Sequence, residues 1–114
     1  MPMPGSLHAI PGVPGGFAFQ VDRDHPAFEG HFPEEPILSG LLQVDWAIRL
    51  GREAFGFAGA FHGLEHLKFM APIRPAEPVD LSLVWDGATG CLDFRYSGQG
   101  GCKSRGLAVF DPTP

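Results

Sequence analysis

The stretch "GLLQVDWAIRLGREAF", Gly40–Phe55, is the one segment of this 114-residue chain with a sustained helical period. Leu41, Val44, Ile48 and Phe55, with Leu42, Ala47, Leu50 and Ala54, cover most of its circumference, which predicts a helix buried nearly all round. Ser39 can cap its start, and "GFAG" (56–59) ends it. A helix of that kind needs a layer wrapped around it, and the segments on either side are candidates for that layer.

Downstream the period changes from 3.6 to two. "LEHLKFMAPI" (64–73), "VDLSLVW" (79–85), "CLDFRYS" (91–97) and "RGLAVFD" (105–111) each alternate apolar and polar residues, with turn signals "RPAEP", "DGATG" and "SGQGG" between them. Upstream, "FAFQVD" (17–22) has the same alternation, residues 1–15 read as an irregular segment with a short edge strand at Leu7–Ile10, and 23–39 is a long loop rich in Pro and Gly. Strand, loop, one helix and four consecutive strands give an α+β class: an antiparallel sheet of hairpin-linked strands wrapped around one central helix, in a single domain over residues 1–114.

Composition excludes several functions. Apolar residues make up 44 % of the chain, and eight Lys plus Arg against 13 Asp plus Glu leave a net charge of −5, so nucleic acid is not the expected partner. No apolar run approaches the roughly 20 residues of a membrane span, and "MPMPGSLHAIPG" lacks the basic start and apolar stretch of a signal peptide. The expectation is a cytoplasmic protein. Cys91 and Cys102 fall on adjacent strands around "SGQGG"; a turn there pairs Ser97 with Cys102 and sets Cys91 opposite about Ala108, beyond bridging range. Both are read as reduced thiols.

Three residues carry candidate chemistry. His31 sits between Gly30 and Phe32-Pro33, a constrained loop that suits a general base or acid, although residue type alone favours a loop histidine bonded to a backbone carbonyl. Asp45 lies on the apolar helix. Either it forms an i,i+4 pair with Arg49, or burial raises its pKa and makes it a general acid. Gly40 opens the helix, where backbone amides lack partners and can meet a carbonyl oxygen that gains charge. "HGLEH" (62–66) matches a zinc-protease form, but on a strand its histidines stand about 13 Å apart, too far for one metal, so no metal site is expected. His8 and His25 read as surface or loop residues. Lys68, Arg74, Lys103 and Arg105 could meet an anionic partner such as a phosphopantetheine phosphate, or line a solvated strand face.

"GHFPEEPILSG" followed by "LLQVDWA" resembles the hot-dog-fold 3-hydroxyacyl-[acyl-carrier-protein] dehydratases of the FabA/FabZ type, above all the small dehydratases of aryl-polyene clusters. That family carries G-H-F-P-x-x-P-[IV]-[ML]-P-G and an acid fourteen positions after the histidine, the spacing of His31 and Asp45 here. "LKFMAPIRPAEPVDLSL" resembles the family's strand-turn-strand. The resemblance implies dehydration of 3-hydroxyacyl thioesters, with His31 as base, Asp45 as acid and the Gly40 amide on the thioester carbonyl. It also implies an acyl tunnel past Phe32, Leu41 and Ile48. The family needs no metal or redox cofactor; the substrate rides on phosphopantetheine of an acyl carrier protein or coenzyme A. Two subunits pair edge to edge as a homodimer and share active sites. The chain departs from the pattern at Ser39, where the family has proline, and at Glu34-Glu35. Two other functions stay open: a hot-dog thioesterase, and a non-catalytic acyl-binding partner subunit.

Overall fold

The structure, a computed structural model, describes residues 1–29 and 35–113. Its helix α1 (Gly40–Phe55) lies against six strands: β1 (His8–Ala9), β2 (Gly16–Phe19), β3 (Phe61–Phe69), β4 (Val79–Asp86), β5 (Cys91–Gly98) and β6 (Gly101–Phe110). Ser39 is the N-cap, its hydroxyl accepting from the Leu42 amide at 3.2 Å, and Gly56 ends the helix in the left-handed region at φ 73°. No helix among the described residues is long and apolar enough to cross a membrane.

The sheet is antiparallel throughout, in the order β1-β2-β4-β5-β6-β3. This corrects the hairpin-linked reading at one link. β3 and β4 are not neighbours; the connection 70–78 carries Pro72, Pro75 and Pro78 and takes the chain across to the opposite side of the sheet. β3 therefore becomes an outer strand, paired with β6 alone. The β5–β6 hairpin pairs Ser97 with Cys102 as expected; a register shift between Tyr96 and Ser97 sets Cys91 opposite Val109, one residue from the expected partner, and both cysteines are free.

The inward residues of β4, β5 and β6 (Leu81, Leu83, Leu92, Phe94, Tyr96, Ala108) pack with Val44, Trp46, Ala47 and Leu50 of α1. The approach is close: a methyl on Gly51 would meet Leu92 Cδ2 at 2.6 Å. Tyr96 spans the layers and donates its hydroxyl to the Gln43 carbonyl at 2.7 Å. Burial, with the Asp45 charge second, pushes the phenol above its ordinary pKa, so it acts as a fixed donor. Tyr96→Phe is expected to cost about 1 kcal/mol, read as a lower midpoint in thermal unfolding.

The prediction of a helix buried nearly all round is corrected. Gln43, Val44, Trp46, Ala47, Leu50 and Gly51 are buried, but Leu41 is 81 % exposed and Asp45 lies open beside it. The sheet covers one side of α1, and within one chain no described segment covers the other. The same side of the molecule carries β3, of which every residue except Gly63 is exposed.

Candidate active site

Two clefts flank the start of α1. The first, about 550 Å³, is lined by Leu41, Leu42, Asp45, Ile48, Phe61 and Leu64 among others. Asp45 is the one ionisable side chain on its wall among the described residues. The carboxylate reaches Arg49 at 3.5 Å, the i,i+4 pair that its spacing allows, and both side chains are about half exposed (53 % and 45 %). The expectation of a buried acid is therefore corrected for the single chain. Arg49 also donates to the Met1 carbonyl at 2.8 Å, which holds the N-terminal segment at the rim.

The second cleft, about 570 Å³, lies at the helix N-terminus and is lined by Gly40, Gln43, Leu38, Phe69, Met70 and Arg74 among others. Ser39 Oγ occupies the Leu42 amide, while the Gly40 and Leu41 amides have no partner among the described residues. A methyl on Gly40 would meet the tip of the Phe69 ring at 2.6 Å, so a side chain here would have to displace that half-exposed ring.

Of the residues singled out in the sequence, Asp45, Leu41 and Ile48 come together in the first cleft, and Gly40 lines the second. His31 and Phe32 lie outside the described residues, as does Glu34. "HGLEH" lies on strand β3. His62 instead pairs with Asp111, whose carboxyl is held below its ordinary pKa by that hydrogen bond first and the Ala60 amide second. His25 is more than a surface residue: its Nδ1 accepts from the Ala27 amide at 3.0 Å, and its ring meets Trp46 edge to face at 5.9 Å. Sequence reasoning also passed over Gln43, which is 3 % exposed and bonded at both ends of its amide. The available signal was an amide at a position flanked by Leu42 and Val44 in an otherwise apolar run.

Comparison with known proteins gives the family and the fold. The family model "ApeI-like: ApeI dehydratase" matches residues 16–106, most of the chain. The chain belongs to this family. A solved structure described as the dehydratase heterocomplex ApeI:P from Xenorhabdus doucetiae is similar with a TM-score of 0.83 and 27 % identity, over 96 % of this chain and 99 % of that one. The 3-hydroxyacyl-[acyl-carrier-protein] dehydratase FabZ of Erythrobacter litoralis is 36 % identical over 68 % of this chain and 52 % of its own length. That of Novosphingobium aromaticivorans is 34 % identical over 78 % and 56 %. The chain thus spans about half the length of the curated relatives it matches. The fold is the hot-dog fold, one helix against a six-stranded antiparallel sheet.

Proposed function

We propose that the chain dehydrates 3-hydroxyacyl thioesters, carried on phosphopantetheine of an acyl carrier protein or on coenzyme A, to trans-2-enoyl thioesters. The observation that carries this reading is Asp45: one carboxylate on the wall of an otherwise apolar cleft, on the helix that holds the amides of Gly40 and Leu41 at its N-terminus. The named activity of the FabZ relatives supports it. In this reading His31 removes the C2 proton, the electron pair forms the C2–C3 double bond, and the C3–O bond breaks. Asp45 protonates the departing hydroxyl, which leaves as water. The Gly40 amide meets the thioester oxygen as it gains negative charge. Only protons move besides the C–O bond, so the step calls for no redox cofactor. A cytoplasmic location belongs to the same reading.

The working unit is a dimer formed along β3. An outer strand with exposed Phe61, Leu64, Leu67 and Phe69, continuous with exposed Leu41, is a surface that associates. A second copy there would cover Asp45 and complete the site. The relative from Xenorhabdus doucetiae is described as a heterocomplex, so a different polypeptide at this edge is the second reading.

Hydration of a crotonyl-type thioester, the reverse reaction, tests both points. His31→Ala is expected to be inactive. Mixed with an inactive Asp45 variant after dissociation and reassembly, it is expected to recover about a quarter of wild-type activity, since half the dimers are hybrids with one intact site of two. An active wild type with no recovery on mixing argues against shared sites between copies. Release of free thiol from an acyl thioester, without hydration, would establish a thioesterase instead.

A further inference from the structure

We infer that Gln43 is a positioning residue for the carbonyl-binding end of the site. The inference rests on the dehydratase reading above. Gln43 is buried in the first turns of α1, and both ends of its amide are used. Nε2 donates to the Leu38 carbonyl at 3.1 Å, and Oε1 accepts from the Ser104 hydroxyl at 2.6 Å. A carbonyl only accepts, so the contact with Leu38 fixes which way the amide faces. The side chain thereby ties three segments together: the strand of loop leading into α1, the helix itself, and β6. Leu38 is held from its other side too, its amide donating to the Ile73 carbonyl at 2.9 Å.

Two residues after Leu38 comes Gly40, which lies against the ring of Phe69. The two hydrogen bonds that clasp Leu38 hold the backbone from which the Gly40 amide projects. Gln43 also lines the same cleft as Gly40. An apolar side chain could pack α1 on the sheet without desolvating an amide, so the buried glutamine suits a position where aim matters more than adhesion.

The test uses the full chain and crotonyl-type thioester hydration. Gln43→Leu is expected to lower kcat about a hundredfold with KM changed less than about threefold, because the misplaced amide is felt when charge develops on the oxygen. The double variant Gln43→Leu/Ser104→Ala removes the stranded hydroxyl. It is expected to regain thermal stability while kcat stays low. Gln43→Glu supplies a third readout. Ionised, it accepts from Ser104 but repels the Leu38 carbonyl; protonated, it donates to Leu38. Its kcat relative to wild type is expected to rise as pH falls. The inference is overturned if Gln43→Leu keeps kcat within about threefold, if kcat returns together with stability in the double variant, or if the Gln43→Glu ratio is flat with pH. An inactive wild type overturns the dehydratase reading and this inference with it. An active wild type with an indifferent Gln43 overturns this inference alone.

Discussion

Asp45→Asn is expected to lower hydration of a crotonyl-type thioester about a thousandfold while leaving the unfolding midpoint within a few degrees of wild type. The two halves of that result have separate causes. The fold depends little on this carboxylate: among the described residues its polar contact is Arg49 at 3.5 Å, and both side chains are about half exposed. Pairs of that kind contribute a few tenths of a kcal/mol. Asparagine keeps the size and the helix but cannot deliver a proton to a leaving hydroxyl. Turnover and stability should therefore separate at Asp45. A variant that keeps turnover within tenfold would reduce Asp45 to a solvated ion-pair partner and remove the acid from the proposed site.

The exposure of Asp45 also shows where sequence periodicity stops being informative. The outer face of α1 is apolar at Leu41 and Ile48, and the period reports that correctly. It cannot report that this face is left open by its own sheet. The strands were legible for the same local reasons, from alternation and from Gly-rich turns, and the Ser97–Cys102 pairing followed from one turn. The place of β3 was not, because a period carries no information about neighbours across a sheet. Only the proline-rich connection at 70–78 hinted that the chain leaves its hairpin path. Around the two clefts, the apolar helix and its start brought out Asp45 and Gly40, and Gln43 was passed over. The value of a buried amide lies in partners 5 and 61 residues away along the chain. The N-cap and the left-handed Gly56 were readable because their partners lie within one helical turn.

Lys103→Met is expected to cost about 3 kcal/mol at pH 7, a drop of about 10 to 20 °C in midpoint for a domain of this size. Lys103 Nζ meets Glu77 Oε2 at 2.8 Å, with the two side chains only 11 % and 8 % exposed. Methionine keeps the packing of the lysine stem but strands the carboxylate, which among the described residues retains only the Arg74 and Gln99 amides at 3.1 and 3.3 Å. The pH dependence gives the test its sign. Burial pushes the Glu77 carboxyl up, but the Lys103 ammonium and the two amides outweigh it and hold it below the ordinary value. A depressed carboxyl stabilises the fold above the unfolded pKa of about 4.3, and that contribution is lost as pH falls through the folded value. In Lys103→Met the opposing charge is gone, so protonation of Glu77 by acid costs the variant less than it costs the wild type. The stability gap, measured by urea unfolding, is therefore expected to be widest near neutrality and to narrow as pH falls from about 4.3 through the depressed folded value. A second substitution, Glu77→Gln, should recover part of the loss at pH 7 by removing the stranded charge while keeping an acceptor for one amide. A gap that is small at pH 7, or that does not change with acid, would mean that the pair contributes no more than an exposed one.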